Sequence, residues 1–310
     1  MDLPQLPIWQ APTGSIAGPE LCAAISNSGG VGAMGLTWTE PNVAAGWVRQ
    51  VRSQTDGLFQ VNFVLHFEPK ALTAVLEAGA PIITFSWGLP IEQAKVVKDA
   101  GAGLGIQVVS RRGAQVALEL EPDFLVCQGI EAGGHVQSST PLGELLPQVL
   151  EVAGEIPVIA AGGISVGHQI RTILDDGAAG AMLGTRFVAT QESRAHPTYK
   201  RILADQSDTA LTICFDGGWP NAPHRVIRNS TYLNWEAAGS PREPGRPGEG
   251  DEIGRIGVEP VRRYEDTAPR AGMEGKIEAM CLYAGTGVAD IQDIPPVQVL
   301  MERLRIEAGL

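Results

Sequence analysis

Eight short apolar runs recur along the first part of this chain, and their spacing narrows the fold more than any other feature. They read "PIWQ", "VGAMGL", "FQVNFVL", "IITFSW", "LGIQVV", "DFLVCQG", "PVIAAGG" and "GAMLGTRFV". Each is followed by a polar or glycine-containing turn and then a helix-like pattern. The runs are almost continuously apolar rather than alternating, the pattern of parallel strands covered by helices on their outer face. "PELCAAISNSGG" reads as such a helix, with Pro19 suited to its first position and Gly29 to its carboxyl cap, and "PIEQAKVVKDAG" and "GELLPQVLEVAG" read the same way. Regular βα alternation leaves a doubly wound sheet or a (β/α)8 barrel. Eight units completed by about residue 188 point to the TIM barrel.

Beyond residue 190 the rhythm changes. "HPTYKRILADQ" predicts a helix, residues 239–257 are Gly/Pro-rich and predict an extended loop, and "PPVQVLMERLRIEAG" predicts a final helix. The expected division is a barrel over residues 1–195 and a carboxyl-terminal extension of helices and loops, packed on it, over residues 196–310. Two roles are open for the extension: packing or oligomer contact, as in a homodimer, and a lid over the site.

Composition removes several function classes. With 44% hydrophobic residues in 310, a full core is available, and a net charge of −12 with no basic block argues against nucleic-acid binding. Cys22, Cys127, Cys214 and Cys281 lie far apart with no C-x-x-C pair, which suits a reducing compartment and neither a disulfide scaffold nor a structural metal site. "MDLPQLPIWQAP" lacks the basic and apolar regions of a signal peptide, and no apolar run approaches the ~18–20 residues that span a bilayer. The expectation is a soluble cytoplasmic protein with no membrane partner, in which the "NST" sequon at Asn229 is fortuitous.

Among glycine-rich segments, "GAGLG" at 101–105 follows a helix and precedes a strand, the reverse of a dinucleotide-binding turn, so it reads as an αβ connection. Two others stand at strand ends. Gly162 and Gly163 close the seventh run, and Gly184 and Thr185 close the eighth. The loops after strands seven and eight of a barrel commonly cradle a phosphate, because glycine lets backbone N–H groups approach its oxygens. Tight turns without a ligand are the plain alternative. "GISVG" at 163–167 also fits a serine-hydrolase elbow, for which Asp216 and His224 could be drafted as partners; Ser165 reads better as the cap of the following helix.

His135, in "CQGIEAGGHV", differs from the other histidines. Gly133 and Gly134 remove bulk beside it just past the sixth strand, where a planar ligand could come close and meet the imidazole, a group suited to proton transfer or anion stabilisation. Glu131 is either a second ionisable partner or a structural anchor.

Taken together, "QGIEAGGH", "PVIAAGGI" and "GAMLGTRF", joined in order by "IWQAPTG", "VNF" and "FSWGLP", resemble the nitronate monooxygenase family, formerly the 2-nitropropane dioxygenases. The resemblance covers residues 7–200, and "FDGGWPNAPHRVIRNSTYLNWEAAG" also looks like bacterial members. It implies an FMN-dependent barrel that oxidises alkyl nitronates, and in some members nitroalkanes, with O2 to carbonyl compounds and nitrite. By motif, Asn62 and Gln128 would bond the flavin ring or its ribityl chain, with Gln107 as a further contact. Gly133 would allow close approach, and Ala11 and Pro12 would lie against the isoalloxazine. Gly163, Met182, Leu183, Gly184 and Thr185 would enclose the phosphate. His135 matches the family histidine that takes an α-proton and steadies the nitronate. Thr13 stands where many members have methionine, and "GIQVVS" departs from the usual segment after strand five, which bears on substrate choice more than on FMN. The competing resemblance is to flavin-dependent NAD(P)H reductases of the enoyl-ACP or quinone type, which share "EAGGH"-like and "GTRF"-like segments.

Overall fold

In the computed structural model, which describes residues 4–310, every apolar run forms a strand. The first residues of the amino-terminal stretch read above lie outside the described residues. The strands are β1 Ile8–Gln10, β2 Gly32–Gly35, β3 Phe59–Val64, β4 Ile82–Ser86, β5 Gly103–Val108, β6 Phe124–Gln128, β7 Val158–Ala161 and β8 Gly180–Leu183. All neighbours run parallel, from β2 through β8 and on to β1. A parallel bridge between Trp9 and Val31 closes the ring, with Val31 N donating to Ile8 O at 3.0 Å and Gln10 N to Val31 O at 2.8 Å.

Alternation along the strands then sorts the side chains into two layers. Trp9, Ile82, Phe124, Val126, Ile159 and Met182 fill the barrel interior, where the Trp9 and Phe124 rings stand 4.9 Å apart. Gly105 makes this packing feasible, since a Cβ there would sit 2.3 Å from the Phe124 ring. The intervening residues, among them Ile8, Phe63, Phe85, Leu125 and Leu183, pack outward against the helices.

Those helices are α1 Pro19–Asn27, α2 Pro41–Gln54, α3 Leu72–Glu77, α4 Ile91–Asp99, α5 Arg111–Leu118, α6 Leu142–Ala153 and α7 Gly167–Asp175. Pro19 occupies the first turn of α1, and Gly29 beyond its end has a φ of 85°, as glycine cap chemistry requires. After β8 the chain forms only a four-residue helix, α8 Thr185–Val188. The eighth place in the outer ring is taken by the last helix, Val297–Glu307, which packs against α7 and α1. Carboxylates fix it at both ends. Glu192 accepts from Val297 N at 2.9 and 3.0 Å, and Glu307 accepts from Gly167 N at 2.8 Å, each placing negative charge at a helix start. A cut at residue 195 therefore follows sequence order, while in packing the final helix belongs with the barrel.

Between α8 and that helix the chain makes an excursion over the carboxyl-terminal mouth. It contains helices Pro197–Asp205 and Ser230–Ala237 and strands Thr209–Thr212 and His224–Ile227. The loop expected over 239–257 is only partly a loop. Glu252–Ile256 is the middle strand of a three-stranded antiparallel sheet with Glu259–Arg262 and Met273–Gly275. Ile253 packs with Val261, Met273 and Ile277, and Gly254 is there for space rather than for a turn, since its Cβ would meet Met280 Cε at 2.2 Å. Ahead of that strand, buried Arg246 pairs with Asp216, Glu243 and Glu249 and lies over the Tyr264 ring. All four cysteines are free and buried, and among the described residues no helix is long and apolar enough to cross a membrane.

Candidate active site

A cavity of about 610 Å³ opens at the carboxyl-terminal end of the barrel, under the excursion. Ala11 and Pro12 reach it from the end of β1, Asn62 from β3, Gln107 from β5 and Gln128 from β6. Gly133 and His135 reach it from the loop after β6, Gly163 from β7, and Met182, Gly184 and Thr185 from β8. Leu183 does not line it. The period of two along β8 turns Met182 inward and sends the Leu183 side chain, fully buried, into the strand–helix layer.

The three amide side chains form a polar shelf. Asn62 Nδ2 donates to Thr84 O and Thr84 Oγ1, both at 3.2 Å. Gln128 Oε1 accepts from Gln137 N at 3.1 Å and from Gln107 Nε2 at 3.4 Å, so Gln128 ties the start of the His135 loop to its end.

At the other end lie glycines in backbone conformations that other residues rarely adopt. Gly162 has φ of 125° and Gly163 of 71°, and a Cβ on Gly163 would meet Thr286 Oγ1 at 2.9 Å. A segment from far along the chain roofs this end: Gly285 N donates to Thr185 Oγ1 at 2.9 Å and Thr286 N to Glu131 O at 3.0 Å. Gly133, read as making room for a ligand, lines the cavity and also makes room for that segment, because its Cβ would stand 2.4 Å from Gly285 N. Open space lies beside Gly134, whose φ is 74°.

Glu131 is an anchor: both its oxygens accept from Leu142 N, at 3.1 and 3.0 Å, and cap α6. Ser165 is not the cap of α7. Gln169 reaches back to accept from Ser165 N at 2.8 Å and Val166 N at 3.3 Å, so the cap comes from inside the helix. The hydrolase reading fails on His224, whose Nε2 accepts from Phe215 N at 3.1 Å while Nδ1 meets Ala222 O at 2.9 Å. Both ring nitrogens are committed to the backbone.

His135 stands in an aromatic box. Its ring centroid is 4.5 Å from that of Trp219, 5.6 Å from Tyr283, 6.4 Å from Trp87 and 5.4 Å from His224. Burial in that box, with the neighbouring His224 second, pushes its pKa down to about 3. The imidazole is therefore neutral across the physiological range, and its buried Nε2 has no hydrogen-bond partner among the described residues. A neutral imidazole can give one hydrogen bond and take another, the capacity needed beside an anion that gains or loses a proton.

Several cavity residues escaped the reading of the sequence. Trp87 has a φ of 59°, a conformation a bulky residue holds only when its surroundings impose it. It sits in "FSWGLP", and that strain is invisible in the sequence. Trp219, Asp266, Arg270 and Tyr283 come from the excursion. Their segments carry no βα rhythm from which a place at the mouth could be read. Burial raises the pKa of Asp266. Arg270 is the one arginine or lysine lining the cavity, and among the described residues its guanidinium has no ion pair.

Comparison with known proteins agrees with this geometry. A family model described as nitronate monooxygenase matches residues 2–74 and 67–307. A nitronate monooxygenase of Pseudomonas aeruginosa is 27% identical, the match covering 97% of this chain and 97% of that protein. Among solved structures, FabK from Thermotoga maritima superposes with a TM-score of 0.84 at 26% identity, over 99% of this chain and 93% of that one. A nitroalkane oxidase from Streptomyces ansochromogenes does so with a TM-score of 0.81 at 27% identity, over 99% and 97% of the two chains. With the match running nearly end to end, the chain is an oxidoreductase that belongs to the nitronate monooxygenase family.

Proposed function

We propose that the protein holds FMN in the cavity at the barrel mouth and oxidises alkyl nitronates with O2 to carbonyl compounds and nitrite. The observation that carries this reading is the meeting, in one cavity, of a neutral histidine with glycine turns on β7 and β8 and an amide shelf on β3, β5 and β6. The residues fit such a cofactor. Gly163, Gly184 and Thr185 offer backbone donors and little bulk to a phosphate, with Met182 beneath. Asn62, Gln107 and Gln128 offer both donors and acceptors to the edge of a flavin ring or its ribityl hydroxyls. Ala11 and Pro12 present small apolar surface to a ring face. When bound, the flavin supplies the electron transfer between nitronate and O2.

The chain's own residues bind, orient and desolvate. The guanidinium of Arg270, which has no ion pair among the described residues, favours an anionic substrate, as a nitronate is, through a charge-assisted hydrogen bond. Trp87, Trp219 and Tyr283 exclude water from the side of the cavity where His135 stands. His135, neutral, donates its N–H to a nitronate oxygen. Its depressed pKa makes it a weak base toward a neutral nitroalkane, so preformed nitronates are the better substrates.

The test is to identify the chromophore released from the purified protein and to follow O2 consumption and nitrite release. FMN, with turnover of alkyl nitronates faster than of the parent nitroalkanes, is expected. A colourless protein that does not take up FMN, or one that consumes O2 only with NAD(P)H, would overturn the proposal.

A further inference from the structure

We infer that Arg225 is a positioning residue for His135, gripping the loop that carries it at both ends. The inference rests on the proposed role of His135. The loop has little local structure of its own: Gly134–His135 is a two-residue strand, and Gly134 holds a positive φ with open space around it. Its partner comes from almost a hundred residues later. His135 pairs with His224 and Gly134 with Arg225, antiparallel, and Val136 N donates to Pro223 O at 2.8 Å.

Arg225 adds a second grip. Its side chain turns back along the loop, and Nη2 donates to Ile130 O at 2.9 Å. One residue thus holds residue 134 by its backbone and residue 130 by its guanidinium, fixing the length of "IEAGG". The guanidinium is part-buried, and the charge of Glu131 offsets part of the cost of burying it. Nη1 reaches Thr209 Oγ1 at 3.4 Å, and Arg225 O accepts from Ala284 N at 3.2 Å. Arg225 therefore ties the His135 loop to two further segments of the excursion, one of which roofs the glycine end of the cavity. Removing the guanidinium leaves Ile130 O without that donor and frees the loop to lengthen, which moves the imidazole relative to the substrate. Displacements of about 1 Å in such groups cost on the order of a hundredfold in rate.

The test uses Arg225→Met, Arg225→Lys and, as a control, Arg228→Met, which removes exposed ion pairs to Asp208 and Glu236 near the same strand. Hydrogen exchange of the amides of residues 130–136 is read in the flavin-loaded protein, alongside kcat and KM for an alkyl nitronate. The expected result for Arg225→Met is exchange faster by about tenfold or more in this loop. It should accompany a kcat lower by about tenfold to a hundredfold, KM within about threefold, and unchanged flavin content. Arg225→Lys should recover part of both effects, and Arg228→Met should show neither. Unchanged exchange and kcat in Arg225→Met, or equal effects in Arg228→Met, would overturn the inference. If Arg225→Met does not fold, Arg225→Lys decides in the same way. If the wild-type protein turns over no nitronate, the proposed function has failed, and the exchange measurement alone decides the role of Arg225.

Discussion

Replacing His135 by asparagine isolates the cost of keeping an imidazole uncharged in the aromatic box. In the folded protein its pKa lies near 3, against an ordinary value of 6.5, because burial penalises the cation. Between those values the unfolded chain binds a proton at this residue and the folded one does not. Folding stability contributed by this group is therefore lost as pH falls below about 6.5, and the loss levels off near pH 3. Each pH unit in the window is worth about 1.36 kcal/mol, so the wild type should lose about 2 kcal/mol through His135 on going from pH 7 to pH 5. His135→Asn has no such term, while buried His224, whose pKa burial also lowers, remains in both proteins and cancels. The assay is urea unfolding of both proteins at pH 7, 6 and 5. The difference in unfolding free energy should shift toward the variant by about 2 kcal/mol across that range. A difference independent of pH would show that His135 titrates normally and would remove the argument for a neutral imidazole in the site.

Three further outcomes follow from the same geometry. Gly163→Ala places a Cβ 2.9 Å from Thr286 Oγ1 at a φ of 71°, so it should cost ~1–3 kcal/mol in thermal unfolding and lower the retained flavin. Arg270→Met should raise KM for an anionic nitronate by about tenfold, the worth of one charge-assisted hydrogen bond, with kcat changed much less in steady-state assays. Glu131→Gln weakens the cap of α6 at Leu142 N and should cost about 1 kcal/mol by chemical denaturation, with the pH profile of turnover unchanged if Glu131 is the anchor its hydrogen bonds make it.

The barrel was legible because its signals are local. Each apolar run is one strand, and proline and glycine at 19 and 29 mark one helix by their own backbone preferences. A place at the barrel mouth was legible for residues at strand ends, as Asn62, Gln107, Gln128 and Gly163 are, all of which line the cavity. It was less legible where a glycine also answers to a distant partner: Gly133 lines the cavity but also faces Gly285, which no spacing within "EAGGH" can foretell. Leu183, part of the same "GAMLGTRF" motif, falls outside the cavity lining because the alternation of β8 turns its side chain into the strand–helix layer. The excursion was the hardest part to read. Trp219, Arg270 and Tyr283 reach the cavity only because the chain leaves the ring after α8 and returns with Val297–Glu307. That detour is a matter of tertiary packing.

The most direct measurement is the absorption spectrum of the purified protein during anaerobic addition of propionate 3-nitronate, with NAD(P)H added to a parallel sample. Bleaching of the bound flavin by the nitronate, with NAD(P)H leaving it oxidised, is the result this account predicts. Bleaching by NAD(P)H with no response to the nitronate would contradict it and make the cavity that of a reductase.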